Sequence, residues 1–454
     1  MKEKRIAVLG LARSGTALAA ALAARGISVS ASDRKPEGEI AAADSLRAAG
    51  VELHANDAGT AFLAGAELLA VSPGVPSGHV AVTEARRRGI PVVSELELAW
   101  RILEEEAEGK NTYVAVTGTN GKSTVSTWTA EMLRRDGKET ALAGNIGTAL
   151  SAMCASRAPR WFVVEVSSFQ LETIDRFRPD VAVVTNITPD HLDRHGGFEG
   201  YAAAKARVFE NQGGADAAVV NEDDPASRRL SPPARRVGFS ARGRVPGGVY
   251  AEGDTLWSEI SGPRRPIADR AAVALPGLHN LENALASAAA AELAGASAPA
   301  VASALVRFTG LRHRSELVAE ADGVAWVDDS KGTNPDAVVK SLAGFPDGRV
   351  ILILGGSEKG SDFAILSGPA AAKARLVLTI GQSAEKIERA LSGVEVQRAG
   401  TMERAVDAAA AAARPGDTVL LSPACASFDQ YRNFEERGEH FRSLVLDRVA
   451  AHGA

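Results

Sequence analysis

Short apolar runs alternate with segments of helical spacing along nearly the whole chain. RIAVLG, from Arg5, reads as a buried strand, TALAAALAARG as a helix stopped at Gly26, and ISVSASD as a second strand. ELLAVSPGV and IPVVSE continue the series to about Trp100. Strands alternating with helices predict βαβ units and parallel sheets. ELAWRILEEEAEGKN predicts a helix and then a charged, glycine-ended connection, which places a first domain boundary there. From Thr112 to about Gly310 a second αβ unit is expected, with strands in YVAVTG, RWFVVEVSS, DVAVVTNI and DAAVVN. The Pro/Gly/Arg-rich stretch from Ser231 to Gly248 is expected to be irregular, VYAEGDTLWSEI to form a hairpin, and HNLENALASAAAAELAG to form a helix. After GLRHRSE a third unit follows, with strands in GVAWVDDS, RVILILGG, RLVLTIG and DTVLLSP. The alanine-rich run from Asp407 reads as a helix stopped by Pro415 and Gly416.

A chain of 454 residues carries about three domains, and the pattern divides it at 1–102, 103–310 and 311–454. A content of 45% hydrophobic and 24% charged residues is that of an ordinary soluble protein. The net charge of −5 argues against nucleic acid as a partner and for locally compensated anion sites. Cys154 and Cys425 offer neither a disulfide framework nor a CxxC pair, which suits a reducing compartment. MKEKR followed by IAVLGLA imitates a signal peptide, but the apolar run is short and meets Arg13. No apolar stretch is long enough to insert in a membrane, so a cytoplasmic protein is expected.

The chemistry collects at the carboxyl ends of the predicted strands. YVAVTGTNGKST places a strand, a loop with Gly118 and Gly121, and a helix beginning at Lys122, Ser123 and Thr124 in the order of a phosphate cradle. A strict Walker A would need glycine where the chain has Val116. The turn Gly10 to Gly15 is a partial GxGxxG with Ala12 at its middle position, and Asp33 closes the next strand where a ribose-binding acid would sit. Glu165, followed by Ser167 and Ser168, stands where a Mg²⁺-holding acid would follow a phosphate loop. Asn186, Asp190, His191, Asp193 and His195 form either a polar turn or a set of ligands for a hard cation. By pattern alone Lys205 is a surface lysine. Asn280 and Asn283 share a helix face, to bind a ligand or to cap and solvate the helix. In the third unit Asp329, Lys331 and Thr333, then Gly355, Gly356, Lys359 and Asp362, then Ser422, Ser427, Asp429 and Phe434 follow three strands and suggest a second anion-binding surface.

In chain order, GTNGKST, EVSSFQL, NITPDHLDRH, YAAAKARVFE, LPGLHNLENALAS, GLRHRSE, DDSKGTNP, GGSEKG and SPACASFDQYRNFEERG strongly resemble the Mur ligase family of peptidoglycan synthesis. LGLARSG, DDSKGTNP and the last block look like the branch that adds D-glutamate to UDP-N-acetylmuramoyl-L-alanine. The resemblance implies an α/β protein of three domains: a Rossmann-like UDP-substrate domain, a central P-loop ATPase-like domain and a Rossmann-like domain bringing the amino acid. It also implies a reaction. The substrate carboxylate takes the γ-phosphoryl group of ATP, and the amine of D-glutamate displaces phosphate from the acyl phosphate. Lys122 is then the phosphate lysine, within an ATP site of Gly118, Thr119, Asn120, Gly121, Ser123, Thr124, Asn280, Asn283, Arg314, Asp329 and Lys331. Two Mg²⁺ ions are implied, one on Ser123 and Glu165, the other on His191 and a carbamylated Lys205. Ser14, Gly15, Asp33, Asn145 and Ser167 are implied on the UDP substrate, and Thr333, Lys359, Ser427 and Phe434 on D-glutamate. A monomer is expected. The other readings are a family member taking another amino acid or a folate, and a nucleotide-binding scaffold without turnover.

Overall fold

The structure is a computed structural model describing residues 3–57, 59–107, 109–154, 161–275, 277–357 and 361–452. The chain forms two compact units. One comprises Met1–Ile187, Arg194–Ala274 and Leu281–Phe308, the other Thr188–Asp193, Leu275–Asn280 and Thr309–Ala454.

The first unit carries two sheets. The smaller has five parallel strands in the order Glu52–Ala55, Ser28–Asp33, Arg5–Leu9, Leu68–Val71, Val92–Ser94. Ile6, Ala7, Val8 and Leu9 are all buried, as a strand covered on both faces requires. The larger sheet has nine strands. Thr112–Thr117 lies in its interior, between Trp161–Glu165 and Val181–Val184, and is parallel to both. The parallel run continues through Ala217–Asn221 and Arg235–Ser240 to Val249–Glu252, then Thr255–Ser258 and Arg265–Asp269 return antiparallel. The expected hairpin is therefore present. Helix Lys122–Arg135 packs through the fully buried Trp128, whose ring stacks on Phe308 at 4.6 Å. The boundary expected at 102/103 falls inside helix Glu95–Glu105.

The stretch expected to be irregular contains the strand Arg235–Ser240, which corrects that reading. Its first two residues are exposed arginines, which hide four buried positions from a pattern count. Five further strands escaped the sequence reading: Glu52–Ala55, Thr140–Gly144, Arg265–Asp269, Glu316–Ala321 and Glu395–Gly400. Each is an edge of its sheet. Edge strands are short and polar because pairing on one side leaves little to bury.

The second unit is built on one sheet, in the order Glu316–Ala321, Val324–Asp328, Thr418–Leu421, Val350–Gly355, Ala374–Ile380, Glu395–Gly400. Only the first pair is antiparallel. Helices Met402–Ala412 and Phe434–His452 cover one face, where Met402, Val406, Phe441 and Val445 are buried. Among the described residues no helix is long and apolar enough to cross a membrane.

Candidate active site

The loop between Thr112–Thr117 and helix Lys122–Arg135 has the left-handed glycines the sequence required, with φ of 143° at Gly118 and 84° at Gly121. Both positions also exclude a side chain. A Cβ at Gly118 would lie 2.0 Å from Thr185 Oγ1, and one at Gly121 would lie 2.3 Å from Asn283 Oδ1. Neighbouring strand ends hold the loop. Thr119 N donates to Asn186 O at 2.8 Å, Asn120 N to Asn186 Oδ1 at 3.0 Å, and Thr185 Oγ1 to Asn120 O at 2.6 Å. Val116 is fully buried in the strand and pairs with Glu165. The strand runs on to Thr117, so Gly118 is the first position that needs glycine.

Two lysines meet at this loop. Lys122 Nζ donates to Gly118 O at 3.0 Å and to Thr119 O at 2.8 Å. Lys205 Nζ donates to the same Gly118 O at 2.7 Å and lies over the Tyr201 ring at 4.5 Å. Lys205 is only 1% exposed, which overturns the surface-lysine pattern reading. Alongside, Ser123 Oγ donates to Glu165 Oε2 at 2.6 Å and Asn145 Nδ2 to Glu165 Oε1 at 2.8 Å. A buried carboxylate beside a serine hydroxyl is an all-oxygen donor set, which fits a hard divalent cation such as Mg²⁺. Thr124 Oγ1 is buried without a hydrogen-bond partner, a polar atom the protein itself does not satisfy.

The Asn186–His195 segment does not gather its four titratable residues into one group. His191 has φ of 52°, its Nε2 lies 3.8 Å from Asp190 Oδ1, and it belongs to the second unit. His195 belongs to the first unit. Its Nε2 lies 3.0 Å from Ser168 Oγ and its Nδ1 3.5 Å from Glu172 Oε1. Its ring stacks on Phe169 at 5.7 Å and tilts against Tyr201 at 5.3 Å. Among the described residues the His/Cys/Asp/Glu group close enough to hold a metal is His313, Glu316 and Asp328. His313 Nδ1 there lies 2.7 Å from Asp328 Oδ2, and His313 N donates to Glu316 at 2.8 Å, which fastens a turn with positive φ at His313 and Ser315.

The residues expected on the UDP substrate divide into two sets. Ser14, Gly15 and Asp33 stand at the carboxyl ends of Arg5–Leu9 and Ser28–Asp33. A Cβ at Gly15 would lie 1.9 Å from Gly10 O, so the helix needs glycine to sit on this turn. Asp33 accepts Leu11 N at 2.5 Å and Lys35 N at 2.9 Å, so its carboxylate shapes the turn itself. Ser14 O accepts Ser151 Oγ at 3.1 Å. Asn145 touches Glu165, and Ser167 caps helix Ser168–Leu171 in a capping box with Gln170. Asn280 and Asn283 are both buried, which removes the solvating-helix reading.

In the second unit Asp329 is buried, accepting Ser422 Oγ at 2.7 Å and Ser315 N at 3.2 Å. Arg314 adds a favourable charge, and Arg314 Nε is buried without a hydrogen-bond partner. Lys331 Nζ lies over the Phe434 ring at 5.1 Å. Thr333 N donates to Lys331 O at 2.9 Å, and buried Ser427 offers its carbonyl to Tyr431 N at 2.8 Å. Lys359 lies outside the described residues. Arg437, 1% exposed and not singled out in the sequence, donates to Ser330 O at 2.8 Å and Cys425 O at 3.1 Å, tying two of these loops together.

Burial pushes the Asp329 carboxyl up to about 6, against the partial relief of Arg314 and Ser422. Its folded-state value lies above the unfolded one, so its charge costs nothing below the unfolded value and on the order of 3 kcal/mol above the folded one. Asp329→Asn is therefore expected to gain stability relative to the parent as pH rises from about 4 to about 6. Denaturant midpoints across that window test this, and a difference independent of pH would refute it.

Comparisons with known proteins cover nearly the whole chain. Three family models match: "Mur ligase MurD-like, N-terminal domain" at residues 4–94, "Mur ligase middle domain" at 116–291, and "Mur ligase, glutamate ligase domain" at 313–425. A UDP-N-acetylmuramoylalanine–D-glutamate ligase of Pelotomaculum thermopropionicum is 45% identical over 98% of this chain and 97% of its own length. The protein of the same name from Geobacillus kaustophilus is 42% identical over 98% of each chain. The chain belongs to the Mur ligase family. Among solved structures, a pseudomurein peptide ligase type C from Methanothermus fervidus superposes with a TM-score of 0.63 at 18% identity, over 98% of this chain and 99% of its own. MurF ligase from Thermotoga maritima, solved with ADP, gives a TM-score of 0.61 at 18% identity over 84% and 96%. At such identities these two show the fold, and the Mur ligase fold agrees with the three α/β sheets found here. The Mur ligase middle-domain match takes in the loop, Glu165 and Lys205. The contacts of Thr185, Tyr201 and Glu172 were not read from the sequence. Tyr201 lay within a quoted motif, and its spacing of one helical turn from Lys205 was the available signal.

Proposed function

We propose that the chain is an ATP-dependent ligase joining D-glutamate to UDP-N-acetylmuramoyl-L-alanine through an acyl phosphate, releasing ADP and phosphate, and working as a cytoplasmic monomer. The observation that carries this reading is the convergence of the Lys122 and Lys205 ammonium groups on Gly118 O beside the Ser123–Glu165 pair. A lysine cation at a glycine loop on a helix N-terminus forms a receptor for a polyphosphate, and the second lysine, buried at the same carbonyl, is the one a carbamate would convert to a metal-holding anion. The names of the relatives, at 45% and 42% identity over almost the full length, supply the substrates.

A carboxylate attacking a triphosphate brings like charges together, so the site must neutralise and align them. Lys122 moves from loop carbonyls to phosphate oxygens. Ser123 and Glu165 would hold one Mg²⁺, which supplies charge neutralisation on the phosphates. Carbamylation of Lys205 would replace a buried cation with an anion suited to a second Mg²⁺, with His191 as a further ligand. Ser14, Gly15, Asp33, Asn145 and Ser167 are assigned to the UDP substrate. Asn280, Asn283, Arg314, Asp329 and Lys331 are assigned to ATP, with the unpartnered Arg314 Nε as a donor. Thr333, Lys359, Ser427 and Phe434 are assigned to the amino acid. The functional domains are taken as 1–102, 103–310 and 311–454.

Phosphate release from ATP with UDP-N-acetylmuramoyl-L-alanine and a panel of amino acids is expected to require D-glutamate. Folded protein that releases phosphate with a different amino acid, or not at all, would overturn the assignment.

A further inference from the structure

We propose that Tyr201 is a positioning residue of the phosphate site, its hydroxyl setting the conformation of Thr119 in the nucleotide loop. This rests on the reading of that loop as a nucleotide site. The main chain of Thr119 is held on both sides, its N–H by Asn186 O at 2.8 Å and its carbonyl by Lys122 Nζ at 2.8 Å. The side chain is placed by a hydroxyl contact, with Thr119 Oγ1 3.2 Å from the Tyr201 hydroxyl. Thr119 is 5% exposed and Tyr201 2% exposed, so this hydroxyl pair has little competition from solvent.

The tyrosine is itself fixed from two directions. Lys205 Nζ rests on its ring face at 4.5 Å. His195 packs against the ring at 5.3 Å, and Ser168 Oγ and the stacked Phe169 hold His195 in turn. Through His195, this side chain on helix Phe198–Ala206 therefore links the loop after Thr112–Thr117 to the segment after Trp161–Glu165. A loop that binds phosphate through its backbone N–H groups depends on those groups being aimed before the ligand arrives. The hydroxyl of Tyr201 constrains the residue at the loop's first turn, and its ring keeps Lys205 over the same turn. The two parts of the side chain have separable tasks.

The test is a double-mutant cycle on the affinity of the full chain for MgADP, measured by calorimetry on Tyr201→Phe, Thr119→Val and the double variant. Tyr201→Phe keeps the ring, its packing and its contact with Lys205. Each single change is expected to weaken MgADP about five- to tenfold, the loss of roughly one hydrogen bond's net contribution. The double variant is expected to be no weaker than the weaker single, because both remove the same bond. Melting midpoints should match the parent, which a merely structural role would not combine with the coupling. Parental affinity in Tyr201→Phe, or effects that multiply in the double variant, would overturn the proposal. The parent serves as the control. If it does not bind MgADP, the nucleotide reading fails and takes this proposal with it. If it binds MgADP and Tyr201→Phe binds it equally well, the tyrosine proposal alone fails.

Discussion

Lys122→Ala is expected to lower ATP-dependent turnover by a factor on the order of 10³ while the melting midpoint stays within about 2 °C of the parent. The two effects separate because of what Lys122 touches. Its ammonium is half-buried and donates to the carbonyls of Gly118 and Thr119, which are loop atoms rather than core atoms. When it is removed, Gly118 O keeps Lys205 Nζ as a donor. With a polyphosphate present, the same ammonium is a mobile cation on the loop, and a carbamylated Lys205 would not replace its charge. Steady-state phosphate release gives the turnover, and calorimetry with MgADP locates the loss in binding or in the chemical step. Near-parental turnover in a folded variant would refute the phosphate role of Lys122.

The second large effect is on stability and concerns a residue outside the glycine loop. Glu97→Leu is expected to destabilise the protein by about 3–5 kcal/mol. Glu97 is fully buried on helix Glu95–Glu105. Its carboxylate accepts Asp175 N at 3.0 Å, Arg176 N at 3.0 and 3.1 Å, Phe177 N at 2.8 Å, and Arg101 Nε at 2.6 Å. Arg101 also reaches Asp175 Oδ2 at 2.7 Å. A leucine of similar volume would leave three backbone N–H groups and the Arg101 Nε without their acceptor. Glu97→Gln should lose less, since one oxygen still accepts. Denaturant unfolding measures both, and a loss under about 1 kcal/mol in the leucine variant would refute the assignment.

Glu97 also marks where sequence reading stops. In ELELAWRILEEE an acid amid other acids reads as a solvated helix face, because the N–H groups that donate to it come from a segment about eighty residues away. The phosphate loop was legible for the opposite reason. Its glycines, lysine and serine are consecutive, and the constraint on each is local. Lys205 falls between these cases. Tyr201, Ala204 and Lys205 are all buried on a helix with little amphipathic contrast, so its periodicity carried no sign of which side faces in. Only the family resemblance pointed to Lys205, and the structure buries it beside the loop. Asp33 was legible as a residue at a strand end. Its grip on Leu11 N and Lys35 N was not, since a turn-shaping acid and a ribose-binding acid occupy the same position in the pattern.

The placement of Thr112–Thr117 inside its sheet has a consequence for how the protein is made. The loop after it is held by Thr185 and Asn186, which enter the chain only after the strand Trp161–Glu165 has been laid down on the other side. Non-local parallel pairing of this kind is slow, because the intervening chain must close before either contact is rewarded. A ribosome-bound chain ending before residue 185 has every residue of the glycine loop and lacks the groups that shape it. Nucleotide affinity therefore arrives with the pairing of Val181–Val184, and a fluorescent ADP analogue would report that late docking step during refolding rather than the collapse that precedes it.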